Sequence, residues 1–261
     1  LCEQVLQRAP RNPDALCLLG IARLISGRAG DAVPLLEQAV SAVPRHGMAL
    51  ENLGLAHLML GQFPEAERVL RKAAALPGAP ASAPMRLGVS LLHQRKHDEA
   101  VRELQRALAL DPQSTDCHLN LGQALAQMGD AAAARDHFQT VLRLDPGHVD
   151  AAFNLGVIAL ERGELDQARQ WFERALARSP QYVDAMVSLG IVLQKQSRLD
   201  EAAACLRQAL ALDPANAAAG NNLARTLALQ GRLEQAREQY LAALSLAPAM
   251  VEAHEGVATV C

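Results

Sequence analysis

Apolar residues recur along this chain at helical spacing, in short paired runs. Between positions 149 and 182, Ala152, Leu155, Ile158 and Ala159 fall on one helical face. A break follows at Arg162-Gly163, and a second stripe, Leu165, Ala168, Phe172, Ala175 and Leu176, stops before Pro180. Spacings of three and four put such residues on one side of an α-helix. Gly just past a helix supplies a left-handed cap, and Pro beyond the next helix blocks its continuation. The stretch reads as helix A, a tight turn, helix B and a short Pro-bearing turn. Gly27, Gly61, Gly129 and Gly231 fill the same turn elsewhere, and Arg95 and Ser197 replace it in two places.

The pattern repeats every 34 residues. Pro10, Pro44, Pro112, Pro146, Pro180, Pro214 and Pro248 keep that step, with Gly78 in the vacant position and Pro77 beside it. Ala32, Ala66, Ala100, Ala134, Ala168, Ala202 and Ala236 form an unbroken column. So do Leu19, Leu53, Leu87, Leu121, Leu155, Leu189 and Leu223. The next column holds Gly20, Gly54, Gly88, Gly122, Gly156 and Gly190, then Ala224 and Ala258. A fixed period in this range signals a repeat architecture. Gly inside a helix costs about 1 kcal/mol relative to Ala, so a column of small residues predicts close approach of helices A and B. Full repeats are expected at 13–46, 47–80, 81–114, 115–148, 149–182, 183–216 and 217–250, with partial ones at 1–12 and 251–261. Three prolines in "LPGAPASAP" predict a late start for helix A of the third repeat and a local bend there.

Leu155-Gly156, Ala168, Phe172, Ala175 and Pro180 resemble the tetratricopeptide repeat (TPR) pattern, and the resemblance covers the whole chain. The aromatic columns depart from it, being mostly smaller apolar residues. The resemblance implies an all-α, right-handed α-solenoid superhelix of helix-turn-helix repeats. It also implies a concave groove, lined by helices A, that holds a protein or peptide ligand. Groove positions are implied at the second, fifth, sixth, ninth, twelfth and thirteenth places of each repeat. The sixth column reads Leu18, Asn52, Arg86, Asn120, Asn154, Ser188 and Asn222, similar to the asparagine ladder of the O-GlcNAc transferase superhelix. An Asn amide offers a donor and an acceptor to a peptide group, whatever the sequence. Phe153, Val157, Val187 and Ile191 supply an expected apolar strip, and Gln123, Asn221 and Arg225 polar contacts. Only fragments of a carboxylate clamp are present, such as Asn52 with Arg86, which argues against binding of chaperone tails.

Composition narrows the function. The 261 residues are half hydrophobic but only 3% aromatic, and carry a net charge of −3. Neither half is basic, which argues against nucleic acid or an acidic membrane as partner. No apolar run approaches the roughly 20 residues of a membrane span. The five cysteines lack CxxC spacing and read as reduced thiols, pointing to the cytoplasm, with the periplasm as alternative. The second-column Asp14, Asp116, Asp150 and Asp184 suit helix N-termini. His93 and His97 straddle a turn and read as solvated; Trp171 reads as packing. No catalytic motif appears, and no cofactor or metal is expected. The reading is a non-catalytic interaction scaffold. The alternatives are the substrate-recruiting arm of a larger bacterial glycosyltransferase or sulfotransferase, or an envelope assembly or secretion factor. The chain opens at Leu1, reading as a segment of something longer, and its uncapped ends predict end-to-end self-association.

Overall fold

In the computed structural model, residues 2–260 are described, with side chains from Val5 onward, and among them all regular structure is helical. The A helices are α2 (Pro13–Ile25), α4 (Gly47–Met59), α6 (Ser82–His93), α8 (Thr115–Gln127), α10 (Val149–Glu161), α12 (Val183–Lys195), α14 (Ala217–Leu229) and α16 (Val251–Val260). The B helices are α1 (Cys2–Arg8), α3 (Ala29–Ala42), α5 (Phe63–Ala74), α7 (His97–Leu110), α9 (Ala131–Leu144), α11 (Leu165–Arg178), α13 (Leu199–Leu212) and α15 (Leu233–Leu246). The chain divides within α9 into two compact units, Leu1–Thr140 and Val141–Cys261.

Local chemistry sets each boundary. Side chains of Asn12, Ser114 and Asn216 accept from the backbone N–H three residues on, and His46 and His148 do so through Nδ1. Such caps satisfy N–H groups that a helix start leaves unpaired. At the A–B turn, Arg28 N–H bonds Arg23 O at 2.9 Å, and the same six-to-one bond recurs in six later turns, from Gln62 N–H to His57 O through Arg232 N–H to Leu227 O. This Schellman closure needs a residue at positive φ. Arg95 (φ 59°) and Ser197 (φ 62°) adopt it without being Gly. The last residues before Pro112, Pro180, Pro214 and Pro248 are extended, as the proline ring requires of its predecessor, and this ends the B helices.

Helices A and B meet through the small-residue column. A Cβ on Gly156 would lie 2.6 Å from Phe172 Cε1, and one on Gly122 2.7 Å from Phe138 Cε1; both rings are fully buried. Gly20, Gly54, Gly88 and Gly190 face Leu36, Leu70, Leu104 and Leu206 in the same way. Within the first unit α2 touches α4, α4 touches α6 and α6 touches α8; within the second α10, α12, α14 and α16 touch in succession. Among the described residues, α1, α3, α5 and α7 of the first unit do not touch one another, nor do α11, α13 and α15 of the second. Helices A therefore form the tighter, concave side of each unit.

The second repeat is irregular. Its helix α5 has 12 residues where α3, α7, α11, α13 and α15 have 14. Pro77 is the cause: it disfavours helical backbone at Leu76 and cannot donate to the preceding turn. Gly78 then takes φ 73°, and α6 starts one residue late, with no side-chain cap. Glu67 stitches the next repeat on. It accepts from Arg71 (2.8 Å), Gln94 (2.8 Å) and Lys96 (2.7 Å). Burial works to raise its pKa, but these partners prevail and hold it down at about 2.

Two predictions follow from this packing and turn geometry. Gly156→Leu destabilises by more than about 1 kcal/mol, because the buried Phe172 ring has no room to yield; an unchanged melting curve would refute close packing. Arg95→Gly and Ser197→Gly each stabilise by about 0.5–1 kcal/mol, relieving the left-handed strain of a Cβ residue. Urea denaturation of the single variants reads this out.

Candidate functional site

In the first unit, Asn52 lies on α4, Arg86 on α6, and Asn120 and Gln123 on α8, all partly exposed. Asn52 Nδ2 donates to Met48 O at 2.8 Å and Asn120 Nδ2 to Asp116 O at 2.7 Å. Each amide is thus pinned to its own helix, with its Oδ1 accepting no bond from the described residues. Arg86, an expected groove residue, is ion-paired within the protein. Its Nη1 donates to Glu51 Oε1 at 2.6 Å, and both side chains are largely buried. Glu51 stands 35 positions away in the preceding repeat, so the ion pair joins two helices A.

In the second unit, Phe153, Asn154 and Val157 lie on α10, Val187 and Ile191 on α12, and Asn221, Asn222 and Arg225 on α14. Asn154 repeats the pinning, Nδ2 to Asp150 O at 2.7 Å. The expected apolar strip is partly absorbed by packing: Phe153, Val157 and Val187 pack half-buried against the core. Phe153 meets Phe172 and Tyr182 at centroid distances of 5.7 and 5.1 Å. Burial, aided by Asp150, pushes the Tyr182 pKa up to about 12, so its hydroxyl stays a donor.

Ile191, Asn221, Asn222 and Arg225 converge on a hollow of about 680 Å³, joined there by Gln194, Lys195, Met250 and Glu252. Asn222 is buried and differs from the other sixth-column asparagines. Its Nδ2 bonds Ala218 O, and its Oδ1 accepts from Arg225 Nη2 at 3.0 Å. Arg225 Nε donates to Gln194 Oε1 at 2.7 Å, and Gln194 Nε2 donates to Thr226 Oγ1 at 3.0 Å. This network holds the guanidinium at the hollow, where Asn221 Oδ1 is buried without a partner. The sequence reading passed over Gln194 and Lys195, although the twelfth and thirteenth places of the sixth repeat point to them. Nothing local marks Thr226 or Tyr182.

Other expectations resolve differently. His93 is not simply solvated: it stacks on Phe63 with centroids 4.2 Å apart. The histidines brought together are His118 and His137, with Nδ1 atoms 2.9 Å apart, and His118 Nε2 lies 3.2 Å from Pro112 O. Among the described residues no group of three metal-ligating side chains forms. Trp171 packs on the core beneath Arg174. Cys17, Cys117 and Cys205 are buried free thiols, and burial pushes Cys17 and Cys205 up to about 11, far from thiolate reactivity. The Cys2 side chain and Cys261 lie outside the described residues. No described helix is long and apolar enough to cross a membrane.

The chain belongs to the tetratricopeptide repeat family: models of the tetratricopeptide repeat match residues 17–82, 119–183 and 187–251, and one described as TPR repeat matches 90–129. Curated proteins return no match. Among solved structures, the Cut9–Hcn1 hetero-tetramer of the APC/C superposes with a TM-score of 0.79 at 20% identity, covering 99% of this chain and 51% of that one. The chain thus spans about half the length of that relative. PilF of Pseudomonas aeruginosa gives 0.68 at 24% identity, over 77% and 92% of the two chains. YrrB, described as a TPR protein with an unusual peptide-binding site, gives 0.59 at 21%, over 71% and 95%. These likenesses establish the fold, an α-solenoid of TPR repeats. Proteins of this family are generally non-catalytic interaction scaffolds.

Burial and the facing His118 lower the His137 pKa below its ordinary 6.5. The unfolded chain therefore takes up this proton first, and the pair's stabilisation, full above about pH 6.5, declines as the pH falls below it. Melting temperature should drop between pH 7.5 and 5.5, and His137→Leu should flatten that drop. Parallel curves for the two proteins would exclude the pair as its source.

Proposed function

We propose that the concave faces of helices A bind an extended segment of a partner protein, with the sixth-column asparagines holding its backbone. One observation carries this reading. Asn52, Asn120 and Asn154 each spend one amide N–H on the carbonyl four residues back and leave Oδ1 without a partner among the described residues. An amide fixed in this way loses little rotamer freedom on binding, which lowers the cost of engaging a peptide group. Each such bond contributes roughly 0.5–1.5 kcal/mol net, so affinity comes from several together. In the second unit, the Arg225 guanidinium and the unpartnered Asn221 Oδ1 add a donor and an acceptor beside apolar Ile191.

A peptide selected from a displayed random library against the whole chain supplies the probe. Asn52→Ala/Asn120→Ala for a ligand of the first unit, or Asn154→Ala/Asn221→Ala for one of the second, should weaken binding about tenfold, or 1.4 kcal/mol, with unchanged helicity. Unaltered affinity in calorimetric titration removes the asparagines from the account.

A further inference from the structure

We infer that the cleft opened by Pro77, between the end of α5 and the start of α6, is a second binding site, which takes a large apolar side chain flanked by carboxylates on a partner segment. Its volume is about 530 Å³, more than enough for a Leu or Phe side chain. The early end of α5 frees Leu76, which a regular repeat would keep helical, and places it with Pro77 and Ala79 along the cleft wall, while α6 starts one residue late. Met48, half exposed at the rim, supplies an adaptable apolar contact.

The charges select the occupant. Glu51 is the only acid on the cleft wall, and Arg86 neutralises it. Arg45, Leu76 and Pro77 line both this cleft and an adjoining hollow of about 400 Å³, where Lys72 joins them. Among the described residues, neither Arg45 nor Lys72 has a hydrogen-bond or ion-pair partner. One unpaired cation on an apolar opening and a second in the adjoining hollow, with the opening's acid already paired, complement an acidic segment with a hydrophobic anchor and disfavour a basic one. Met48 and Glu51 stand at the second and fifth places of their repeat, so the cleft adjoins the groove face of α4 and rests on that face being a binding surface, while none of the sixth-column asparagines lines it.

The test uses synthetic 12-residue Gly/Ser peptides with a central Leu and two Glu on each side, titrated into the whole chain by NMR up to millimolar concentration. The Leu/Glu peptide should shift resonances of Arg45, Met48 and Ala79. Replacing the Leu by Ala, or the Glu by Lys, should weaken binding at least tenfold. Arg45→Glu/Lys72→Glu changes two exposed, unpaired side chains and should invert the preference, so that the Lys peptide binds better. Ala79→Trp should block both peptides, and Asn52→Ala/Asn120→Ala should leave the cleft's affinity unchanged. The inference is overturned if the Leu/Glu peptide does not bind, if the charge reversal leaves the order unchanged, or if only the asparagine variant weakens binding.

Discussion

Everything in this fold depends on how closely helices A and B of one repeat approach. The distance is set by a small residue on A facing a large buried one on B, sixteen positions later: Gly156 with Phe172, Gly122 with Phe138, Gly190 with Leu206. The cost of Gly in a helix, about 1 kcal/mol, is offset by complete burial of a Leu or Phe, worth roughly 1.5–3 kcal/mol. Close approach demands a short turn, hence the recurrent six-to-one bond and the positive φ that even Arg95 and Ser197 accept. It also leaves helices A free to touch one another while helices B stay apart. In the last full repeat Ala224 takes the small position, and Tyr240 packs in the same cluster.

The fold was legible because each repeat restates it. One Gly in a helix says little, but six at a constant step identify a packing constraint. Turn, cap and stop signals could be read locally, since Gly, Pro and Asn act on backbone within a few residues. The irregular junction of the second and third repeats was legible too, through Pro77 and its neighbours, although the cleft that follows from it was not.

The candidate site was legible only as positions. The sixth and ninth columns located Asn120, Asn154 and Arg225, but what those side chains bond to depends on neighbours a repeat away. Arg86 looked available until Glu51, 35 positions earlier, was seen to hold it. Asn222 matched Asn154 by column, yet Arg225 engages its Oδ1 and burial withdraws it from solvent. Gln194 and Thr226 meet across two helices for the same reason. The histidine contact of His118 with His137 was invisible because His137 has no histidine counterpart in its column.

Among the described residues, every pair of touching helices lies one or two elements apart along the chain. The chain therefore folds through short-range closures, which are entropically cheap and fast. Among the described residues no contact joins helices more than two elements apart, so none forces a whole unit to open at once. Its cooperativity is that of neighbours, and opening can begin at a terminal helix without engaging the rest. Hydrogen exchange in such a molecule would be graded along the sequence, slowest where fully buried rings such as Phe138 and Phe172 face glycine.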